Sequence, residues 1–585
     1  MDYALKTGDA GGKRETLVSA TRALAPLLAG EKANISIALV CVVFTSASNL
    51  LAPVLIARVI DTAIAHSDFG ALLRYAGLLA AVYVVSLGTS YLQTLRTGTV
   101  GRNVLFRLRN QLFNHLSSLP IAFFAQNRAG DLISRVNSDT DRINQFFSQA
   151  LMQTFGNLFL VAGAGLLLLG LNWRMGLIAM IPALGMLLIT QAVSPFLKRT
   201  NRASLDSIGA LSGDISESLA NFQVIVAFNR VDYLREKFSA ANARNYRAAV
   251  KAGIASGSLA PIYTLAGSLG SILVLGAGVW LVGRQELTVG LLIGYLMYVT
   301  AFYNPLRQLA TIWSSLQMAM AALDRVSEVL NLKTNLVQLA DSSVGGPGGL
   351  LAFEDVGFSY PGKQVLNKVS FSLDRGRTYA LVGPTGGGKT TTAMLMARLY
   401  DPGQGKVYLD GRDIRSFTAA QRADKIGFIL QDPFLFSGTV RDNLVYGHAE
   451  LDQLTDEALT ERIAAQGLTG FVARFHEGLA TPIKNGGEGL SLGQKQLVAF
   501  LRAVLRQPEI LILDEATANI DTVTEQLLEE VLDQLPPATT KVIIAHRLNT
   551  IRNADEIFFV GGGGLTEAGS MEHAMDMLLS GERTS

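Results

Sequence analysis

Apolar residues are concentrated in the first half of the chain, in six largely uncharged stretches long enough to cross a hydrocarbon layer of about 30 Å. The pattern predicts membrane-spanning helices at Ile35–Ile60, Tyr75–Leu95, Ser148–Leu171, Met175–Val193, Ser258–Val282 and Val289–Leu309. A soluble helix can be apolar on all sides, but six in succession fit a bilayer. The joins Asn172–Arg174 and Gly283–Thr288 are short, whereas Arg96–Phe147 and Ser194–Gly257 are long. The first long connection carries Arg96, Arg102, Arg107, Arg109, Arg128, Arg135 and Arg142; the second is equally basic, from Lys198 to Lys251. The other loops offer only Arg74, Arg174 and Arg284, so the positive-inside bias puts the long connections in the cytoplasm. An even number of spans then puts both chain ends there too. Ahead of the first span, Arg14–Ala29 mixes charged and apolar residues in the manner of an interfacial helix. Its short, broken apolar stretch does not fit a cleavable signal peptide, and Asp2 and Asp9 argue against an organellar transit peptide.

The pattern changes after Gly345-Gly346-Pro347-Gly348-Gly349, where short β-branched runs begin to alternate with helical periods. The expected division is an N-terminal segment with its interfacial helix (1–33), a six-helix transmembrane domain (34–325), a linker (326–349) and an α/β domain (350–585). The expected fold class is therefore multidomain, all-α in the membrane and α/β after it.

Within the α/β domain, a strand at Tyr379–Val382 runs directly into Gly383-Pro384-Thr385-Gly386-Gly387-Gly388-Lys389-Thr390, and a helix follows through Thr391. This is a P-loop in its strand-loop-helix setting. Backbone N–H groups cradle phosphates, Lys389 reaches the β- and γ-phosphates, and the Thr390 hydroxyl can ligate Mg²⁺. Farther on, the buried run Ile510–Leu513 ends in Asp514-Glu515. Asp514 is placed to hold Mg²⁺, through water, and Glu515 to orient or deprotonate an attacking water.

Composition narrows the function classes. The chain has 49% hydrophobic and 17% charged residues, too apolar for an ordinary soluble enzyme. Its 50 Lys+Arg against 48 Asp+Glu leave a formal charge of +2, too little for the basic stripe of a nucleic-acid binder. Cys41 is the single cysteine, so no intrachain disulfide framework or cysteine-ligated zinc site can form.

From Tyr360 to His546 the motif order resembles the ATPase domain of ATP-binding cassette (ABC) transporters, and the six spans resemble their exporter-type membrane domain. Leu490-Ser491-Leu492-Gly493-Gln494 is similar to the family signature and lies between the P-loop and the acidic strand, as in that family. The resemblance implies a half-transporter that binds ATP and Mg²⁺. It implies an obligate dimer, of two copies or of unlike chains, in which Ser491, Gly493 and Gln494 of one chain cover ATP on the partner's P-loop. By the same resemblance Tyr360 stacks on adenine, Thr391 belongs to the phosphate site, and Gln431 touches Mg²⁺ beside the membrane domain. His546 contacts the γ-phosphate, and Asp521 lies in the loop crossing the dimer interface. Gly130–Arg135 and Val226–Arg230 match the family's transmission elements, and closure of the ATPase dimer is then expected to turn an inward-facing cavity outward.

Three residues depart from the family pattern: Leu492 stands where a second glycine is usual, Lys495 for arginine, and Asn485 for glutamate. An altered signature beside an intact Glu515 and His546 resembles one subunit of a heterodimeric pair, and a homodimer stays open beside it. The implied activity is ATP-driven export of an amphipathic drug or lipid across a bacterial inner membrane, with the cargo and membrane lipid as partners. Tyr83, Tyr91, Tyr263, Phe302, Tyr303 and Asn304 are candidates to line its cavity, with packing or interfacial anchoring an equal reading for most of the aromatics. Alternatives are a peptide exporter, a metal-chelate importer, or a membrane-anchored ATPase that regulates without transporting.

Overall fold

The computed structural model describes residues 3–5, 30–64, 67–334, 336, 338–340, 345–484, 486–514, 522–544 and 554–580. By their contacts the residues form two units: Lys6–Ser117 with Ala129–Asn331, and Met1–Leu5 with Ser118–Arg128 and Leu332–Ser585. The proposed interfacial helix at Arg14–Ala29 lies outside the described residues.

Among the described residues the membrane unit contains six helical candidates for membrane spans: Lys32–Ile64, Phe69–Ser117, Ala129–Leu171, Trp173–Ala220, Val231–Gly283 and Val289–Leu330. Each contains one of the expected apolar stretches. Several are much longer than a bilayer requires: the 49 residues of Phe69–Ser117 span about 74 Å, so their polar parts must project beyond the hydrocarbon. Only 6% of the apolar window in Phe69–Ser117 is buried, leaving Leu78, Val84, Leu87 and Tyr91 exposed. Such a face is stable against lipid or a second chain, not against water.

The last helix, Val289–Leu330, is tied to three others by tyrosines. Tyr295 donates to Leu168 O at 3.0 Å, Tyr303 donates to Ala179 O at 2.9 Å, and Tyr298 donates to Leu50 O. Each buried hydroxyl thereby satisfies its donor inside an apolar bundle. Here the structure corrects the expected cavity lining. Tyr263, Phe302 and Tyr303 are 7%, 5% and 4% exposed and belong to the bundle core. The Tyr303 ring packs so closely on Gly270 that a Cβ there would lie 3.1 Å from it. Tyr83, Tyr91 and Asn304 remain exposed.

A second set of contacts ties the start of Ala129–Leu171 to the C-terminal end of the last helix. Buried Arg135 donates to Glu328 Oε2 at 2.8 Å and to Arg325 O, while Arg325 pairs with the fully buried Asp139.

Among its described residues the second unit contains twelve strands: β1 (Leu351–Tyr360), β2 (Lys363–Leu373), β3 (Thr378–Val382), β4 (Gln404–Leu409), β5 (Arg412–Asp413), β6 (Ile426–Ile429), β7 (Gly438–Thr439), β8 (Pro482–Ile483), β9 (Ile510–Asp514), β10 (Thr540–Ile544), β11 (Glu556–Gly561) and β12 (Gly564–Glu567). A four-stranded sheet has the order β2-β1-β4-β5, and a six-stranded sheet the order β12-β11-β3-β10-β9-β6. In the larger sheet β11, β3, β10, β9 and β6 run parallel, and all five residues of β9 are buried, as a strand covered on both faces requires. This agrees with the expected class of six membrane helices followed by an α/β domain.

Two predictions follow from these contacts. Arg135→Ala leaves Glu328 without this partner and should cost about 3 kcal/mol, read as a lower thermal midpoint of the detergent-solubilised protein. In the second unit, burial and the neighbouring Glu567 push the Glu556 carboxyl above its ordinary value. The folded chain then binds that proton more tightly than the unfolded chain, so the associated stability is present at acid pH and is lost as pH rises through the folded-state value. Glu556→Gln should accordingly raise the thermal midpoint more at mildly alkaline than at acid pH.

Candidate functional site

The site is built at the carboxyl edge of the parallel sheet. In register, Ile544 of β10 lies opposite both Leu381 of β3 and Asp514 of β9, and Ile429 of β6 lies opposite Leu513. The segments that leave these strands therefore start from one edge, the usual place for a ligand in an α/β sheet. They lead to Gly383, to Asp514 and Glu515, to His546 and to Gln431. Glu515 and His546, with Asp521 and Asn485, lie outside the described residues.

Between β3 and the helix Lys389–Met396 the chain makes the predicted loop. Gly383 has φ +146°, and a Cβ there would lie 2.1 Å from Val560 O, so only glycine lets the loop turn against β11. Gly388 caps the helix at φ +113°, and Pro384, Thr385 and Gly386 are exposed while Gly387 is half-buried. Lys389 is 5% exposed and folds back over the loop, donating to Gly383 O at 2.8 Å and Pro384 O at 3.1 Å. Its cation is thus held at the mouth of a concave run of backbone, where anionic oxygens would find it.

Next to it, Thr390 Oγ1 donates to Asp514 Oδ1 at 3.2 Å, and Asp514 is 2% exposed. A hydroxyl and a carboxylate side by side are the hard oxygen donors that suit Mg²⁺, so these two residues fit the ion. Tyr360, at the end of β1, pairs its hydroxyl with Thr391 Oγ1 at 3.3 Å. Its ring meets Phe358 edge-on at 4.9 Å and Tyr400 at 5.7 Å, which fixes an aromatic beside the phosphate loop.

The signature opens the helix Leu492–Val504. Ser491 Oγ accepts from Gln494 N at 3.2 Å while Gln494 Oε1 accepts from Ser491 N at 3.0 Å, a complete capping box. Gly493 is buried, and Leu492 is 40% exposed, outside its own chain's core. Lys495 packs its stem where a Cβ on Gly487 would lie 2.9 Å away. The helix packs on β6, at the edge of the sheet, whereas the P-loop leaves β3 three strands away. At about 4.8 Å per strand, the strand under the signature helix and the strand that leads into the P-loop lie roughly 14 Å apart in the sheet.

Sequence reasoning missed a groove beside Gln431. Leu430, Pro433, Phe434, Phe436 and Tyr446 line it, with Phe434 60% and Tyr446 50% exposed. Arg502 holds it together, donating to Asn443 O at 2.8 Å and Asn443 Oδ1 at 2.7 Å. Burial keeps this guanidinium below its ordinary value. Three aromatics within a polar stretch were the signal available in the sequence.

The expected transmission segments are placed differently from one another. Val226–Arg230 closes a short helix, Phe222–Ala227, that buries none of its residues and leaves Phe222, Val224, Val226 and Phe228 exposed. Gly130–Arg135 instead lies on Ala129–Ser134 and the turn after it, inside the membrane unit. The segment that clusters with the ATPase unit is the preceding one, Ser118–Arg128, with its helix Ile121–Gln126.

Residues 35–306 match the family described as the ABC transporter transmembrane region, and residues 366–518 match that described as ABC transporter. An uncharacterized ABC transporter ATP-binding protein of Bacillus subtilis, YfiC, is 34% identical over 93% of this chain and 90% of its own length. A fatty acid ABC transporter ATP-binding/permease protein of Mycobacterium bovis is 32% identical over 86% of this chain and 79% of its own. A multidrug resistance ABC transporter ATP-binding and permease protein of Lactococcus lactis is 31% identical over 84% and 83%.

Gly383→Ala should push the loop off Val560 and weaken ATP binding roughly tenfold or more, about 1.4 kcal/mol, measured by equilibrium binding with the thermal midpoint as control.

Proposed function

Because this chain belongs to the ABC transporter family, as a half-transporter of the exporter type, we propose that it moves an amphipathic or lipophilic molecule, of drug or lipid class, out of the cytoplasm by alternating access in a dimer. The separation between signature and P-loop half-sites carries this reading: one chain supplies each half, and two chains together supply complete ATP sites. The relatives named for multidrug resistance and fatty acids support the cargo class. The chain is a translocase by reaction, its ATP hydrolysis coupled to movement across a bacterial inner membrane, with both ends and the ATPase unit in the cytoplasm.

In this mechanism Lys389 leaves the carbonyls of Gly383 and Pro384 for the β- and γ-phosphates, and the loop amides take the remaining oxygens. Thr390 and Asp514 would hold Mg²⁺, with Gln431 beside them, and the ion would supply positive charge against the phosphates. Glu515 orients the attacking water, His546 supports it, and Tyr360 stacks on adenine, Thr391 standing at the phosphate end of its ring. The partner's signature serine, glycine and glutamine close the site, with Asp521 at the interface. The apolar groove beside Gln431 and the apolar helix Phe222–Ala227 are two surfaces suited to being covered when such an assembly forms. Two copies, or this chain with an unlike one, satisfy the scheme.

Glu515→Gln should keep ATP binding and reduce turnover at least about a hundredfold, because a carboxylate that orients water is lost while the phosphate contacts remain. Lys389→Ala should weaken binding itself. Wild-type turnover in Glu515→Gln contradicts the assignment, and ATP binding by the wild type with neither turnover nor transport into inside-out vesicles favours the regulatory ATPase.

A further inference from the structure

Residues 3–5 lie far from everything they touch in sequence. Tyr3 N donates to Gln126 Oε1 at 2.7 Å, Leu5 N donates to Asn127 Oδ1 at 2.9 Å, and Asn127 Nδ2 donates to Tyr3 O at 2.9 Å. Tyr3 is 3% exposed, and its hydroxyl donates to Lys333 O at 3.3 Å. One short extended segment thus bonds both to the tip of the first cytoplasmic connection and to the chain just beyond the last membrane helix.

These two places are where movement must pass in a transporter of this build. Ile121–Gln126 is a six-residue helix between Phe69–Ser117 and Ala129–Ser134, whose residues belong to the membrane unit, yet Ser118–Arg128 clusters with the ATPase unit. A helix this short is not stable by itself. Its last turn is closed by Asn127, whose Nδ2 donates to Phe123 O at 2.7 Å, and the same side chain grips Tyr3 and Leu5. Lys333 follows directly on Val289–Leu330 and begins the chain that enters the ATPase unit.

We propose that residues 3–5 are a strap that positions the helix Ile121–Gln126 against the start of the linker at Lys333, so that both respond together when the ATPase unit binds nucleotide. Tyr3 and Asn127 are then positioning residues for energy transmission, acting through the helix and touching no substrate. The inference rests on the transporter reading above, since a strap between two transmitting segments has this role only where ATP drives the membrane helices.

The test uses amide hydrogen exchange of the full-length protein in nanodiscs, with and without ATP and vanadate, and needs no cargo. Tyr3→Ala removes the buried ring and its bond to Lys333, and Leu5→Pro removes the N–H given to Asn127; neither touches the bond from Asn127 to Phe123. In both variants exchange across residues 118–128 should rise roughly tenfold, and nucleotide protection of the P-loop should stay unchanged. The nucleotide-induced change in the flanking helices, residues 100–117 and 129–145, should fall at least about threefold. Unchanged exchange across 118–128 overturns the strap. Faster exchange there with an undiminished response in the flanking helices overturns its positioning role and leaves a structural tether. If the wild-type P-loop gains no protection from ATP, the transporter reading fails before the strap is reached.

Discussion

The position of β10 between β3 and β9 is the constraint on which the nucleotide chemistry depends. All three strands pair in parallel register and their central residues are apolar and buried on both faces, with the polar residues Thr378, Asp514, Thr540 and Lys541 at or near the strand ends. That register brings the loop after Val382 and the carboxylate of Asp514 to one edge, close enough for Thr390 and Asp514 to hydrogen-bond. A slip of one residue in β9 would turn Asp514 to the opposite face and leave Thr390 without its acidic neighbour. The same sheet puts β6, and the signature helix on it, at the far edge. The strand that carries the phosphate loop and the strand under the signature helix are therefore three positions apart in one sheet.

The membrane unit obeys a different rule. Its helices are held by a few satisfied polar groups in an apolar medium: phenols on carbonyls within the spans, and the Arg135–Glu328 and Arg325–Asp139 pairs beyond them. The pairs join the start of Ala129–Leu171 to the C-terminal end of the last helix. Each unit also leaves apolar surface open: the face of Phe69–Ser117, the helix Phe222–Ala227, and the groove around Phe434 and Tyr446. Each is costly in water and marks a surface to be covered by lipid or protein.

Much of this was legible in the sequence because the signals were local. Apolar runs of spanning length and a strand-loop-helix with glycines at fixed positions need only neighbouring residues to be read. The cavity assignment failed for Tyr263, Phe302 and Tyr303 because an aromatic in a span looks the same whether it faces a cavity or donates to a neighbouring helix; only packing decides. Gly130–Arg135 carries the recognisable residues of this connection, while Ile121–Gln126 is an ordinary apolar hexamer distinguished only by the unit with which it clusters. The contacts of Tyr3 were illegible for the same reason: bonds to Gln126, Asn127 and Lys333 leave no periodicity or motif.

The central claim is that a working ATP site needs the P-loop of one chain and the signature of another. It is tested most directly by the mass of the purified, detergent-solubilised complex, with ATP turnover recorded on the same particles. The account predicts turnover only in particles with two ATPase units, whether two copies of this chain or this chain with an unlike one. ATP turnover by particles containing a single chain would contradict it.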